Sequence, residues 1–309
     1  MPVHCCAPGV DGVRHVSPAG PAVALANVER LARQLVRRVA PRPVCSQYVG
    51  NDRIVVGLPN GCHLLAIASD LSLTPDLVTK GMYDWPFWKF VHRVVRPGDA
   101  VADVGSNVGL FSVAMAAIVG ASGHVSAVEP DPVLAELVRD NLTSNWMAPW
   151  TTVHEVAAGA ATGDVTFSRH ARYWGSSSAG ASSLGGHAIS DGYEQIRVKV
   201  ERLDDILPDL HYRLIKIDVE GGEAQALHGL SNLLKRNRIE FIDLEVLRGT
   251  AHDWDAMASA LTSIARDFGG RPHVVDPRGR LRAISLHDVV TVADFGHVVF
   301  DLRRTADAG

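Results

Sequence analysis

A turn with two glycines, placed after an apolar strand, is the first feature of this sequence that could bind a ligand. The turn reads Asp103-Val-Gly105-Ser106-Asn107-Val-Gly109. Gly105 permits a tight turn and allows the backbone to approach a ligand closely. In open α/β sheets, ligands lie beyond the carboxyl ends of strands, where turns of this kind occur. The turn therefore predicts a binding site.

An acidic residue at the end of the next strand indicates what that ligand is. Glu129-Pro130 follows the apolar segment His124–Val128. A carboxylate there can accept hydrogen bonds from both ribose hydroxyls of an adenosine, because it has two acceptor oxygens. A nicotinamide dinucleotide would use the same acid, but it normally needs G-x-G-x-x-G to hold its pyrophosphate. The G-x-x-x-G spacing found here favours a cofactor without phosphates and points to S-adenosylmethionine.

Two later strand ends carry the carboxylates that could move a proton. Asp218 and Glu220 follow one apolar segment, and Glu245 ends another. Neighbouring strand ends would bring these groups together, and crowded carboxylates raise one another's pKa, which suits a general base. We favour Asp218 as the residue that orients or accepts the proton, with Glu220 as the other candidate. Glu220 could instead cap the helix predicted to begin at Gly222.

The same strand ends could alternatively bind magnesium, which prefers oxygen ligands. The set would be Asp218, Asp243 and Glu245, because alternation along a strand sends Asp243 and Glu245 to the same face of the sheet. The prediction we retain is a site with no metal.

Alternating strands and helices must position these residues. After Pro97-Gly98 the sequence predicts strands and helices in turn, at 100–104, 110–119, 124–128, 152–157, 165–168, 214–217, 222–236, 239–246, 253–268, 272–275 and 298–302. This pattern predicts an α/β fold with a doubly wound, mostly parallel, seven-stranded sheet. Residues 169–195 interrupt the alternation with a Ser/Gly-rich stretch. We interpret them as a flexible loop, either a lid over the site or a simple insertion.

Composition narrows the class of partner. The formal net charge is −4, and no concentrated Lys/Arg stripe favours nucleic acid. The four cysteines have no zinc-binding spacing and lie in the first fifth of the chain, which favours a cytoplasmic protein without disulfides. No apolar run approaches the roughly 20 residues that span a bilayer, so we expect no stable membrane insertion. The sequence does not indicate an oligomeric state.

The order of several motifs resembles the FkbM family of S-adenosylmethionine-dependent methyltransferases. The motifs are Asp103–Gly109, Glu129-Pro130-Asp131, Asn141–Asn145, Ala157-Ala158-Gly159, Val200–Asp204, Leu214–Gly221 and the strand ending in Glu245. Two positions depart from the family pattern: Ser106 replaces the usual alanine, and Gly222 stands where phenylalanine is frequent. The resemblance covers roughly residues 81–246.

The resemblance implies a Rossmann-like class I methyltransferase domain at 81–309. Residues 1–80 would form a partly disordered N-terminal extension that could cap the substrate side. The implied cofactor-binding residues are Tyr83, Asp103, Gly105, Ser106, Asn107, Gly109, Glu129, Pro130, Asp131, Ala157, Ala158 and Asp218. The implied catalytic residues are Asp218, Glu220 and Glu245.

The expected activity is methyl transfer from S-adenosylmethionine to a hydroxyl of a small molecule. The resemblance implies a sugar, a glycolipid or a natural-product scaffold as acceptor. Two alternatives remain at this stage: a nicotinamide-dependent oxidoreductase and a non-catalytic S-adenosylmethionine-binding protein.

Overall fold

The computed structural model of the protein describes residues 45–176, 178–179, 193–249, 251, 253–291 and 295–303. These residues belong to one compact unit that runs from Val44 to Gly309. The first part of the predicted N-terminal extension, residues 1–44, lies outside the described residues. Within the described residues, no helix is long and apolar enough to cross a membrane.

The strands and helices are numbered in chain order. The strands are β1 (Ser46–Gly50), β2 (Arg53–Gly57), β3 (His63–Ile67), β4 (Ala100–Val104), β5 (His124–Val128), β6 (Thr151–His154), β7 (Ala157–Ala158), β8 (Gly163–His170), β9 (Ser178–Ala179), β10 (Tyr193–Glu201), β11 (Tyr212–Ile217), β12 (Ile239–Val246), β13 (Arg271–Val275), β14 (Leu281–Ala283) and β15 (Phe295–Asp301). The helices are α1 (Thr74–Lys80), α2 (Trp85–Val94), α3 (Leu110–Val119), α4 (Pro132–Ser144), α5 (Leu203–Ile206), α6 (Glu223–His228), α7 (Ser231–Lys235), α8 (Trp254–Asp267) and α9 (Leu286–Thr291).

The central sheet has the order β14-β13-β15-β12-β11-β4-β5-β6. The strands β6, β5, β4, β11 and β12 pair in parallel, whereas β15 is antiparallel to both β12 and β13. This arrangement confirms the predicted mostly parallel, doubly wound sheet, and the short β14 adds an eighth strand at the edge. Strand order reverses between β4 and β11, which opens a crevice at their carboxyl ends where ligands bind in such folds.

Both faces of this sheet are covered by apolar side chains. Every residue of β4 is buried, and the strand alternates between two cores: Val101 packs with α3 and α4, whereas Ala102 and Val104 pack with α6 to α9. A strand buried on both faces explains why Ala100–Val104 is an apolar run with only Asp103 as an exception. That exception is therefore a buried carboxyl group.

Strands β1 to β3 form a separate antiparallel sheet that packs on the same core as α3 and α4. Two asparagines hold its edge, Asn141 in α4 and Asn145 directly after that helix. Asn141 accepts from Leu65 N at 2.6 Å and donates to Leu65 O at 2.9 Å, and Asn145 makes the same pair of bonds with His63 at 3.1 and 2.7 Å. Each amide thus pairs with β3 as a neighbouring strand would. Asn141 also donates to Val108 O at 2.8 Å, which connects this small sheet to the glycine turn.

The prediction of a single helix at 222–236 is wrong. The segment forms two helices, α6 and α7, which are separated by Gly229 and Leu230. Gly229 lies in tight contact with neighbouring backbone: a Cβ there would lie 2.3 Å from Gly159 O. Its carbonyl accepts from Asp204 N at 2.8 Å, so that oxygen is held by a bond outside the helix.

The loop predicted at 169–195 begins and ends inside a hairpin. Strand β8 extends through His170, and Tyr193 already pairs with His170 at the start of β10. Residues 174–176 form a short 3-10 turn. Residues 177 and 180–192, the middle of the predicted loop, lie outside the described residues.

Candidate active site

The glycine turn after β4 has the geometry that its sequence predicts. Gly105 has φ +79°, and a Cβ at this position would lie 1.7 Å from the backbone oxygen of Asp218. The N–H groups of Gly105 and Ser106 donate to Val128 O at 2.9 and 3.1 Å. Gly109, with φ +86°, precedes the first residue of α3. The turn is therefore fixed between β5 and the segment after β11, and glycine is required at position 105.

Glu129 is held by backbone donors at the end of β5. The side chain is buried, Oε2 accepts from Asn107 N at 2.8 Å, and Oε1 accepts from Asp131 N at 3.0 Å. Burial raises the pKa of Glu129 to about 8. Each carboxylate oxygen can accept a further hydrogen bond, so the group remains able to bind two hydroxyls.

Most of the predicted site residues line one open pocket with about 1080 Å³ of empty space. The predicted residues in its wall are Tyr83, Asp103, Gly105, Ser106, Asn107, Glu129, Pro130, Ala157, Ala158, Asp218 and Glu220. Gly109, Asp131 and Glu245 are not in the wall. Sequence reasoning thus identified residues that fold into a single pocket, although they come from segments separated by more than a hundred residues.

Asp131 supports the pocket from behind. It is buried and caps α4 by accepting from Val133 N at 2.8 Å. Its carboxylate also pairs with Arg169, whose Nη2 donates to Oδ1 at 2.9 Å. Asp131, which the resemblance implies as a cofactor-binding residue, is outside the pocket wall, and its carboxylate is engaged by the helix cap and the ion pair.

Three carboxylates meet at the ends of β11 and β12. Asp218, Glu220 and Glu245 each offer an oxygen within 4.8 Å of the others. Burial, followed by the charges of Asp218 and Glu245, raises the pKa of Glu220 to about 9. Burial, followed by the charge of Asp218, raises the pKa of Glu245 to about 8. These are groups that can exchange a proton in mildly basic solution.

Glu220 is not the cap of the following helix, and that alternative is wrong. The cap residue of α6 is Gly222, and no side chain caps it. Glu223 instead fixes the preceding loop by accepting from Val219 N at 3.0 Å and Gly221 N at 3.2 Å. Glu220 itself has φ +54° and faces the pocket.

Lys216 is the main functional residue to which the sequence analysis assigned no role. Its ammonium group is buried, 2.9 Å from Asp218 Oδ2 and 3.8 Å from Asp103 Oδ1. Burial alone would raise the pKa of Asp218, but the Lys216 charge and hydrogen bond hold it below its ordinary value. A lysine between isoleucines in a strand buried on both faces was the available signal.

The magnesium set proposed from sequence is not assembled. Asp243 is fully buried, and its Oδ2 lies 2.9 Å from Nδ1 of His297. Glu220, rather than Asp243, is the third member of the carboxylate cluster. Strand alternation does put Asp243 and Glu245 on one face, but Asp243 lies deeper in the sheet, beside Lys216 in register.

A second part of the pocket wall was also missed in the sequence analysis, and it comes from the segment between β3 and α1, from β8 and from the start of the predicted loop. Ser72, Leu73, Phe167, Trp174 and Gly175 lie there. Asp70 joins the two segments by accepting from Leu73 N at 2.9 Å and Trp174 N at 3.2 Å.

Comparison with known proteins gives the family. Residues 103–271, more than half of the chain, match the family described as the methyltransferase FkbM domain. The chain belongs to the FkbM methyltransferase family. This confirms the resemblance inferred from sequence, and the cofactor of this methyltransferase domain is S-adenosylmethionine, as predicted.

The other similarities are more distant. A ribosomal protein L11 methyltransferase of Chloroflexus aurantiacus is 36% identical over 70 residues, which are 23% of this chain and 21% of that protein. The match thus spans about a fifth of the length of that curated relative. A SAM-dependent O-methyltransferase structure from Thermotoga maritima has 13% identity and a TM-score of 0.40, covering 86% of this chain and 88% of the other. A tRNA m1G37 methyltransferase structure from M. jannaschii has 12% identity and a TM-score of 0.41, covering 88% of this chain and 67% of the other.

The atoms of the FkbM site fit S-adenosylmethionine. Asp103 Oδ1 and Ser106 Oγ are buried beside the turn and have no hydrogen-bond partner among the described residues. An amino-acid moiety supplies both donors and acceptors for such atoms. Glu129 retains acceptor capacity for ribose, and the surrounding carboxylates suit a ligand that carries positive charge.

Proposed function

We propose that this FkbM protein is an O-methyltransferase that acts on a hydroxyl of a small molecule, such as a sugar, a glycolipid or a natural-product scaffold. The observation that carries the proposal is the carboxylate cluster beside the cofactor residues, with Glu220 in the pocket wall. A hydroxyl must lose its proton as the new bond to carbon forms, so an acceptor of this class needs a nearby base. The cluster supplies one.

The cofactor residues would divide by position along the pocket. Glu129 accepts from the ribose hydroxyls, because each of its two oxygens can accept a further hydrogen bond besides the one from the backbone. Asp103 and Ser106 bind the amino-acid end. Ala157 and Ala158 of β7, with Pro130, form the wall for the adenine ring. When bound, the cofactor supplies a methyl group on a positively charged sulfur, which is the electrophile of the reaction.

We assign the proton-accepting role to Glu220 and an orienting role to Asp218. Asp218 is paired with Lys216, and its lowered pKa makes it the weaker base. Glu220 has a pKa raised to about 9, and no described side chain donates to it. Glu245 lies in the same cluster and has a buried, unpartnered oxygen, and burial together with the charges of Asp218 and Glu245 keeps the Glu220 pKa high. This assignment reverses the one made from sequence, which favoured Asp218 over Glu220 as the proton acceptor.

The charge of the site supports a small acceptor rather than nucleic acid. Three carboxylates converge there, and Lys216 is paired with Asp218 and Asp103. Nucleic-acid sites usually present Lys and Arg to phosphates, whereas this cluster presents carboxyl groups. Tyr83 is half-exposed in the pocket wall and offers an aromatic face to a sugar ring.

The wider organisation is part of the same proposal. Residues 45–80 already supply Ser72 and Leu73 to the pocket wall, which supports a substrate-side cap formed by the N-terminal extension. The methyltransferase domain would begin at residue 81. We propose a cytoplasmic location.

A transfer assay with a labelled methyl group tests the function. The protein would be incubated with ¹³C-methyl S-adenosylmethionine and separate acceptors: monosaccharide glycosides, a glycolipid, a primary amine and an RNA oligonucleotide. We expect O-methylated product from a hydroxyl acceptor and none from the amine or the RNA. Transfer confined to nitrogen or to RNA would contradict the proposal, and so would S-adenosylhomocysteine binding without turnover on any acceptor.

A further inference from the structure

A buried histidine joins two aspartates from distant parts of the chain. His297 on β15 places Nδ1 at 2.9 Å from Asp243 Oδ2 and Nε2 at 2.7 Å from Asp84 Oδ2. Both ring nitrogens therefore face carboxylate oxygens, and both must donate for the two bonds to form. The two negative charges overcome burial and raise the pKa of His297 to about 10. We call Asp84, His297 and Asp243 the histidine clamp.

The clamp is rigid because its ring is also packed. The imidazole of His297 is stacked on the ring of Phe87, with centroids 4.3 Å apart and planes 4° from parallel. Asp84 caps α2 by accepting from Phe87 N at 2.9 Å. One end of the clamp is thus the first turn of α2, and the other is the interior of β12, where Asp243 is fully buried.

The clamp touches neither the turn that binds the cofactor nor the ribose carboxylate. Its outer member, Asp84, directly follows Tyr83 in the chain, and Tyr83 lies in the same pocket wall as Glu220. Its inner member lies two residues before Glu245 on the same face of β12. The three segments that it joins therefore carry a pocket aromatic and a member of the carboxylate cluster.

We propose that the histidine clamp positions Tyr83 at the mouth of the pocket and thereby sets the affinity for the acceptor, an inference that rests on the proposed function. Tyr83 is half-exposed and lies in the short segment between α1 and α2, outside either helix. The bond from His297 to Asp84 fixes the adjacent residue instead. His297 and the two aspartates are positioning residues, since their effect reaches the acceptor only through Tyr83.

Asp84→Asn is the matched variant for this proposal. Asparagine caps helices as well as aspartate does, so α2 should keep its first turn. The variant loses only the negative acceptor that faces His297, and it leaves the His297–Asp243 pair neutral overall. Asp76→Asn in α1, whose carboxylate makes an exposed pair with Lys80, is the control.

We expect Asp84→Asn to raise the KM for the acceptor about tenfold, with kcat and the Kd for S-adenosylhomocysteine changed less than about twofold. In a Tyr83→Ala background the same change should add nothing, because the clamp acts through Tyr83. An unchanged KM, an effect of equal size in both backgrounds, or an effect mainly on kcat would overturn the proposal.

A measurement without turnover separates this inference from the proposed function. Hydrogen–deuterium exchange of the backbone at 82–87 should be faster in Asp84→Asn than in wild type or Asp76→Asn. Unchanged exchange would overturn the positioning role proposed for the histidine clamp, even if methyl transfer were established. Conversely, a wild-type protein that methylates no hydroxyl would refute the proposed function, while the exchange result would still decide whether the clamp holds Tyr83.

A second variant tests the proposal at His297 without leaving a buried, unpaired charge that could prevent folding. His297→Gln alone would leave Asp243 as a buried, unpaired charge, which is strongly destabilising. The double variant His297→Gln/Asp243→Asn removes that charge as well, and it should show the same rise in acceptor KM and the same faster exchange. A folded double variant with wild-type values of both would contradict the proposal.

Discussion

The two ends of the pocket are held together by different kinds of contact. Around Glu129 the donors are backbone N–H groups of Asn107 and Asp131, and the turn at Gly105 is bonded to Val128 O. Around Glu220 the contacts are between charges on side chains, with Lys216 bonded to Asp218. The first end is a backbone cradle that depends on shape. The second is a charge cluster whose state depends on pH.

This difference determines how each end should respond to substitution. A change in the backbone cradle alters where atoms can fit, so cofactor binding is the quantity that should respond. A change in the charge cluster alters which groups hold protons, so the rate and its pH dependence should respond while cofactor binding persists. Substitutions at the two ends can therefore be told apart by calorimetry and kinetics together.

Gly105→Ala should have the largest effect. A Cβ would lie 1.7 Å from the backbone oxygen of Asp218, which cannot move without displacing the end of β11, and the position has φ +79°. We expect the affinity for S-adenosylhomocysteine to fall by more than about a thousandfold, or the fold to be lost, because alanine combines a clash with backbone strain. Isothermal titration calorimetry and thermal melting would measure both.

Gly61→Ala is the control for that variant. Gly61 also has a positive φ, +91°, but no atom lies within 4 Å of the added Cβ. Strain alone should cost about 1 kcal/mol of folding free energy and leave cofactor affinity unchanged. If Gly105→Ala lowered cofactor affinity and stability no more than Gly61→Ala, Gly105 would not approach the backbone oxygen of Asp218 as closely as the structure has it.

The backbone cradle could be predicted from sequence, and the charge cluster only in part. Asp103 to Asp131 form one continuous strand–helix–strand unit, so short-range patterns locate Gly105 and Glu129 together. The cluster joins residues 218, 220 and 245 to Lys216, and its state depends on which neighbour pairs with which. Sequence placed the carboxylates at adjacent strand ends, but it could not show that Lys216 takes Asp218 or that His297 takes Asp243.

Secondary structure could likewise be predicted where it depends on local sequence, but not where it depends on distant contacts. Apolar runs predicted the bounds of β4, β5, β12 and α3 without error, because burial on both sides dictates their composition. The interruption of the helix at Gly229 depended on a distant backbone contact with Gly159, which no local pattern reveals. The wall at Trp174 likewise depended on Asp70, far away in the chain.

Glu129→Ala should have the next largest effect, again on binding. The substitution removes two charge-assisted hydrogen bonds to ribose and leaves the N–H groups of Asn107 and Asp131 without their acceptors. We expect the Kd for S-adenosylhomocysteine to rise about a thousandfold, from roughly 3–4 kcal/mol of lost interaction. Calorimetry with Glu136→Ala, an exposed residue of α4, provides the control. A loss below about tenfold would show that Glu129 is not the ribose anchor.

Glu220→Gln should affect the chemical step instead. Removing a general base lowers kcat about a hundredfold, while the Kd for S-adenosylhomocysteine should change little. The wild-type rate should rise with pH up to about 9, the pKa to which burial and neighbouring carboxylates raise Glu220, and the variant should lose that rise. Stopped assays over pH 6 to 10 would measure this. A variant with the wild-type pH profile would move the base to Asp218 or Glu245.

The smallest effect concerns stability, and it also distinguishes the two ends. Burial raises the pKa of Glu129, Glu220 and Glu245 to about 8, 9 and 8, against 4.5 for free glutamate. The folded protein therefore keeps protons that the unfolded chain releases above about pH 4.5, so stability falls as pH rises through these values. His297, whose pKa is raised to about 10, acts in the same direction, because its stabilising charge is lost as pH approaches 10.

We expect the melting temperature to fall by about 5 °C or more between pH 6 and pH 9, measured by circular dichroism. The double variant Glu220→Gln/Glu245→Gln should flatten that slope, since amides cannot ionise, whereas Glu136→Gln on the exposed face of α4 should not. Adding S-adenosylhomocysteine should reduce the part of the slope due to Glu129, because hydrogen bonds from ribose favour the ionised carboxylate. A melting temperature that stays constant between pH 6 and pH 9 would show that the glutamates are already charged in the folded protein at pH 6.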